Sequence, residues 1–165
     1  MKLTSSDGAT VELRPIAYQF GANPRAAPGT DWDANWLIVQ GYVTASDATA
    51  WDFTDPCLTT WEARTVSAWL RGVVEGVIRP VAVWPDESWP PEPHFRTYTE
   101  PNLALSLQER TVDRATVRIH FSLEALPPGI QQDIYSYFLV LDLSLEELAA
   151  AAEEWAADCE PFPVR

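Results

Sequence analysis

Asp31-Trp32-Asp33-Ala34-Asn35-Trp36-Leu37-Ile38-Val39 opens as a polar cluster holding two tryptophans and runs directly into apolar, β-branched residues. Asp and Asn punctuation before such a run reads as a loop feeding a strand. From Trp36 to Val43 the apolar residues adjoin without clean alternation, the pattern of a strand covered on both faces. Trp32 and Trp36 each carry an N–H that needs a partner when buried, and the neighbouring carboxylates can accept it. Asp31, Trp32, Asp33, Asn35 and Trp36 are therefore read as a structural cluster.

On the N-terminal side, Val11 to Phe20 alternates as a strand, and Pro15 within it points to a sheet edge or a bulge. Gly21 to Thr30 is a loop. On the C-terminal side, the strand from Trp36 to Ala45 turns at Ser46-Asp47-Ala48 and returns over Thr49 to Phe53, with Phe53 to Leu58 as the strand exit. Thr59 and Glu62 have the spacing of a capping box, in which each side chain satisfies the other's free backbone N–H. Glu62, Val66, Trp69, Leu70, Val73, Val74 and Val77 keep helical spacing, and Gly76 supplies a stop.

Residues 83–93 hold four prolines, which lack the N–H a helix or central strand requires, so they form a loop. Its Trp84 and Trp89 either cap the core or anchor a partner. Strands resume over His94 to Thr99, Leu103 to Glu109 and Ala115 to Leu123. The last places Val117, Ile119 and Phe121 on one side and Arg118 and a half-exposed His120 on the other. Ile134 to Leu143 is the most apolar strand and is expected at the sheet centre. Ser144 and Glu147 form a second capping box, Leu145, Leu148, Ala152, Trp155 and Cys159 make the inner stripe of a closing helix, and Pro161 ends it. Three strands, a helix, four strands and a helix, joined by short connections, give a single α+β domain over residues 1–165. It is a mainly antiparallel sheet with two helices packed against it.

Composition narrows the function. With 47% apolar residues, 12% aromatics and eight tryptophans in 165 residues, the chain is not disordered. Its formal net charge is −13, and Lys2 is the one lysine beside ten arginines. That balance opposes nucleic-acid backbones and anionic membranes and favours a basic partner, although solubility alone also accounts for it. The first eight residues have no apolar core of the signal-peptide kind, and no stretch is long enough to span a membrane. Cys57 and Cys159 stand far apart in sequence, which is compatible with one long-range disulfide and fits better two free thiols in a cytoplasmic protein.

Motifs for chemistry are sparse. Asp31, Asp33 and Asn35 mimic the first ligands of a calcium loop, but Trp36 replaces the glycine and Tyr42 the bidentate glutamate. Neither metal nor cofactor is expected. His94 or His120 with Cys57 or Cys159 could in principle supply a thiol nucleophile and its base, with Cys57 and His120 the pair for a small hydrolase, and no local signature supports it. One short echo is present: Phe53-Thr54-Asp55-Pro56 and Tyr98-Thr99-Glu100-Pro101.

The closing helix is more informative, because Asp142 to Glu160 contains seven acids and no base. Glu146, Glu147, Glu153, Glu154 and Asp158 fall on the face opposite the apolar stripe. The helix dipole favours the early glutamates but not Asp158 or Glu160, so a partner bringing positive charge is expected there.

Several stretches together resemble the WapI-type immunity proteins of bacterial polymorphic toxin systems. They are Leu13-Arg14-Pro15 with Tyr18-Gln19-Phe20, Asp31 to Leu37, Phe53 to Glu62, Tyr98 to Leu103 and Val117 to Phe121. The resemblance implies a small, non-enzymatic cytoplasmic protein that binds the toxic C-terminal domain of a cognate toxin, often a nuclease. The expected partner-binding residues are Glu146, Glu147, Glu153, Glu154, Asp158, Trp84 and Trp89.

Overall fold

The computed structural model describes residues 1–22, 25, 27, 29–82 and 93–165. Two four-stranded antiparallel sheets are each followed by a helix. The first sheet has the order β1 (Lys2–Thr4), β2 (Thr10–Tyr18), β3 (Trp36–Thr44) and β4 (Ala50–Thr59), and leads into α1 (Thr60–Val74). The second runs β5 (Phe95–Arg96), β6 (Leu103–Arg110), β7 (Arg114–Phe121) and β8 (Tyr137–Ser144), and leads into α2 (Leu145–Cys159). The class is α+β with the helices packed on the strands. β1 is a strand the sequence pattern did not reveal.

Both helix starts follow the local code. Thr59 Oγ1 accepts from Glu62 N while Glu62 returns a carboxylate oxygen to Thr59 N, and Ser144 and Glu147 repeat the exchange. Gly76 takes φ +75° just past α1, a left-handed conformation that costs glycine least. Pro15 sits at a bulge, where Ile16 is the extra residue between the Pro15–Val39 and Ala17–Ile38 pairs.

Three strand expectations need correction. β4 does not end at Phe53: it pairs with β3 as far as Thr59, and the bulged residue Cys57 lets Pro56 remain in this edge strand. β8 is not central but an edge strand beginning only at Tyr137, because the chain before it is committed to turns. β3 is not covered on both faces. Leu37, Val39 and Val43 are buried, whereas Ile38 and Gln40 are half-buried and Tyr42 is 50% exposed.

The main core takes Val11, Leu13, Val39 and Phe53 from the first sheet, Val117, Ile119 and Phe121 from the second, and Trp69, Leu148 and Trp155 from the helices. Trp155 is fully buried and donates Nε1–H to Ala63 O at 2.6 Å, which fixes α2 against α1. Gly41 is required by close approach, since a Cβ there would lie 2.2 Å from the Phe53 ring. A second cluster of Phe95, Ala104 and Tyr135 lies on the other face of the second sheet.

Candidate functional site

The outer face of α2 carries its acids as its periodicity requires. Glu146, Glu147, Glu153, Glu154 and Glu160 are exposed and Asp158 is half-buried, while Leu148, Ala151, Ala152 and Trp155 face the core. The fold already uses several of these carboxylates. Glu147 closes the capping box, which holds its carboxyl below the usual range. Glu153 pairs with Arg71 of α1 at 3.0 Å, and Glu154 accepts from Lys2 N. Asp158 lies 2.7 Å from the Met1 ammonium and 4.0 Å from Arg14. That ammonium balances Asp158 at the helix end where the dipole disfavours it, so its charge does not by itself require a partner. The carboxylates of Glu146 and Glu160 remain exposed, with no hydrogen-bond or ion-pair partner among the described residues. Trp84 and Trp89 lie outside the described residues.

The cluster at the start of β3 divides into two kinds of residue. Asn35 is fully buried with all four amide valences filled. Its Nδ2 donates to Asp31 O and Arg165 O, and its Oδ1 accepts from Thr60 Oγ1 and Arg165 N. One side chain thus ties β3, the start of α1 and residue 165 together. Asp31 Oδ1 accepts from Ala34 N in the 3₁₀ turn Asp33–Asn35. Trp36 is half-buried, and Trp32 is 53% exposed and stacks on Trp61 with centroids 5.1 Å apart. Among the described residues no group of three or more metal-ligating side chains converges.

Cys57 and His120 are not brought together. Cys57 is buried in the main core, where desolvation and then the Asp55 carboxylate raise its thiol far above the thiolate range. Burial pushes the Cys159 thiol up to about 11. Neither is an activated nucleophile. His120 is 5% exposed rather than half-exposed, because the chain around Val81 and Tyr135 covers the far side of β7. Its Nδ1 lies 2.8 Å from Tyr135 O and its Nε2 2.9 Å from Ser106 Oγ. Burial lowers its pKa to about 4. His94 lies elsewhere, accepting from Arg79 N.

Two features escape the sequence reading. Glu100, the other acid of the echoed motif, and Glu124 both lie near Asp55, and Asn102 Nδ2 donates to both Asp55 and Glu124. Burial and these neighbouring charges raise the Asp55 carboxyl. The echo was the only signal for this group. The second is the enclosure of Ser106, Arg118 and His120, for which the sequence carries no signal, since the covering chain is distant from β7.

No helix among the described residues is long and apolar enough to cross a membrane. The family model described as the immunity protein WapI-like family matches residues 2–163, and the chain belongs to that family. No curated protein matches it.

Proposed function

We propose that this member of the WapI-like immunity family neutralises the toxic C-terminal domain of a cognate polymorphic toxin in the bacterial cytoplasm. It binds a basic surface of that domain through the outer face of α2. The observation that carries the reading is a 15-residue helix whose exposed side is acidic and whose sequence contains no lysine or arginine. A nuclease toxin presents cationic, nucleic-acid-facing surface, and an acidic inhibitor is steered toward it and occludes it. Glu146, Glu153 and Glu160 are the anchors best suited to docking, because removing them breaks at most one exposed ion pair, with Arg71. Glu147, Glu154 and Asp158 contribute field at the same surface while serving the fold. Trp84 and Trp89 are the next residues to test, and Asp31 to Trp36 is assigned to holding the fold. The role is binding without catalysis, consistent with a core-buried Cys57.

The test is co-expression with the toxin domain encoded beside this chain. Cells are expected to survive, and the two chains to co-purify in equal amounts. Killing in the presence of the folded chain, or failure of the two to associate, would overturn the reading.

A further inference from the structure

On the far side of the second sheet from the helices, Phe95, Ser106, Arg118, His120, Tyr135 and Phe138 line a largely enclosed hollow of about 150 Å³. Arg118 is 4% exposed, and its Nη1 donates to Val81 O at 3.0 Å. Its Nε has no hydrogen-bond partner, and no carboxylate among the described residues forms an ion pair with it. The guanidinium carbon lies 5.7 Å from the centre of the Phe138 ring, which softens the charge but offers no acceptor. A buried cation without a counter-charge is costly and calls for an anion.

The neighbouring groups set the charge and size of that anion. A carbonyl oxygen can only accept, so Nδ1 of His120 carries the proton donated to Tyr135 O. Burial lowers the His120 pKa to about 4, so the imidazole is neutral at pH 7, Nε2 accepts from the Ser106 hydroxyl, and Arg118 is the one charge among the described residues that line the hollow. Tyr135 is held at φ +66°, with its N–H donating to Ser122 Oγ and its carbonyl bonded to His120. Such a left-handed tyrosine persists only where its surroundings over-determine it, and here it fixes one wall. A water's share of liquid volume is about 30 Å³, so the hollow has room for a carboxyl group and a few carbons. Its aromatic walls suit an apolar body, and the Nε edge of an arginine matches a carboxylate in plane and charge.

We propose that this hollow is a binding site for a singly charged carboxylate on a short apolar stem, held by Arg118. The carboxylate belongs either to a free short-chain organic acid or to an acidic side chain presented by a protein. The site is separate from the α2 surface and does not depend on the toxin reading.

The experiment titrates the full chain at constant ionic strength with isobutyrate and with neutral isobutyramide, following the His120 and Phe138 ring signals by NMR. Saturable shifts with the acid and none with the amide are expected. Arg118→Gln should weaken the acid at least tenfold, and Arg118→Lys should weaken it less. A parallel titration compares capped Ala-Glu-Ala with capped Ala-Gln-Ala. Saturation by the glutamate peptide identifies a side chain as a competent source, and saturation by isobutyrate alone identifies a free acid. If neither acid saturates, or acid and amide behave alike, the site is not a carboxylate site. The wild-type comparison decides this even if Arg118→Gln does not fold.

Discussion

The two halves of the chain use the same order of parts, four antiparallel strands and then a 15-residue helix entered through a capping box. They differ in what lies over the far side of each sheet. In the first half that side is open: Glu12, Tyr42 and Asp52 line an open hollow. In the second half the same side is closed, with Ser106, Arg118 and His120 buried beneath the chain around Val81 and Tyr135. Both sides carry charged residues in sequence, Glu12, Arg14 and Asp52 on the open one and Arg118 on the closed one. Coverage is therefore set by segments that return over a sheet, and the hydropathy of the strand itself does not decide it. Where coverage falls on polar residues, they must be hydrogen-bonded or, as at Arg118, left seeking a partner.

The largest expected contrast is between outer-face aromatics. Phe95→Ala in the closed half should lose about 3–5 kcal/mol, as truncation of a buried ring does. Tyr42→Ala in the open half should stay within roughly 0.5 kcal/mol, as exposed substitutions do. Urea unfolding of both variants measures the difference, and equal losses would erase the distinction between the faces.

The next contrast is in pH dependence. His120 titrates at about 4 in the fold, against 6.5 when unperturbed. Between these values the unfolded chain takes up a proton that the folded chain refuses, so stability falls as pH drops from 6.5 toward 4. The loss is on the order of 3 kcal/mol and is complete once both states are protonated. Subtracting the pH profile of His120→Gln from that of the wild type isolates it from the carboxylates. Parallel profiles would mean that the closed face admits the imidazolium.

The smallest contrast concerns the caps. Thr59 is fully buried, and the second carboxylate oxygen of Glu62 also accepts from Thr99 N and Thr99 Oγ1, so this cap ties α1 to the loop before β6. Glu147 lies exposed and its box serves the helix end alone. Thr59→Ala should cost about 2 kcal/mol and Ser144→Ala about 1 kcal/mol, the upper part and the middle of the range for N-caps. Thermal unfolding that ranks them the other way would show that the tertiary link adds nothing.

The same comparison separates what the sequence displays from what it hides. Capping boxes, the bulge at Pro15 and the stripe of α2 are legible because each depends on residues within a few positions of one another. The far side of β3 and β7 is not legible. Ile38 reads as core yet lies beside Pro56 on an open face, and His120 reads as half-exposed yet lies under residues 15 positions and more away. The edge position of β8 escapes for a like reason, since an apolar run does not say how many neighbours a strand will have. For the candidate site, the acids of α2 are visible in the sequence. Their internal partners Met1, Lys2, Arg14 and Arg71 come from other elements and emerge only in the fold.

The most direct measurement is the rate of association with the cognate toxin domain for wild type and for a variant with Glu146→Lys, Glu153→Lys and Glu160→Lys, at low and at physiological salt. These positions leave the Asp158–Met1 and Glu154–Lys2 contacts intact. The wild-type rate should fall with salt, and the variant should associate at least about tenfold more slowly at low salt with dissociation nearly unchanged, as steering by exposed charge requires. A salt-independent wild-type rate, together with a variant that associates equally fast and still protects cells, would contradict binding through the acidic face of α2.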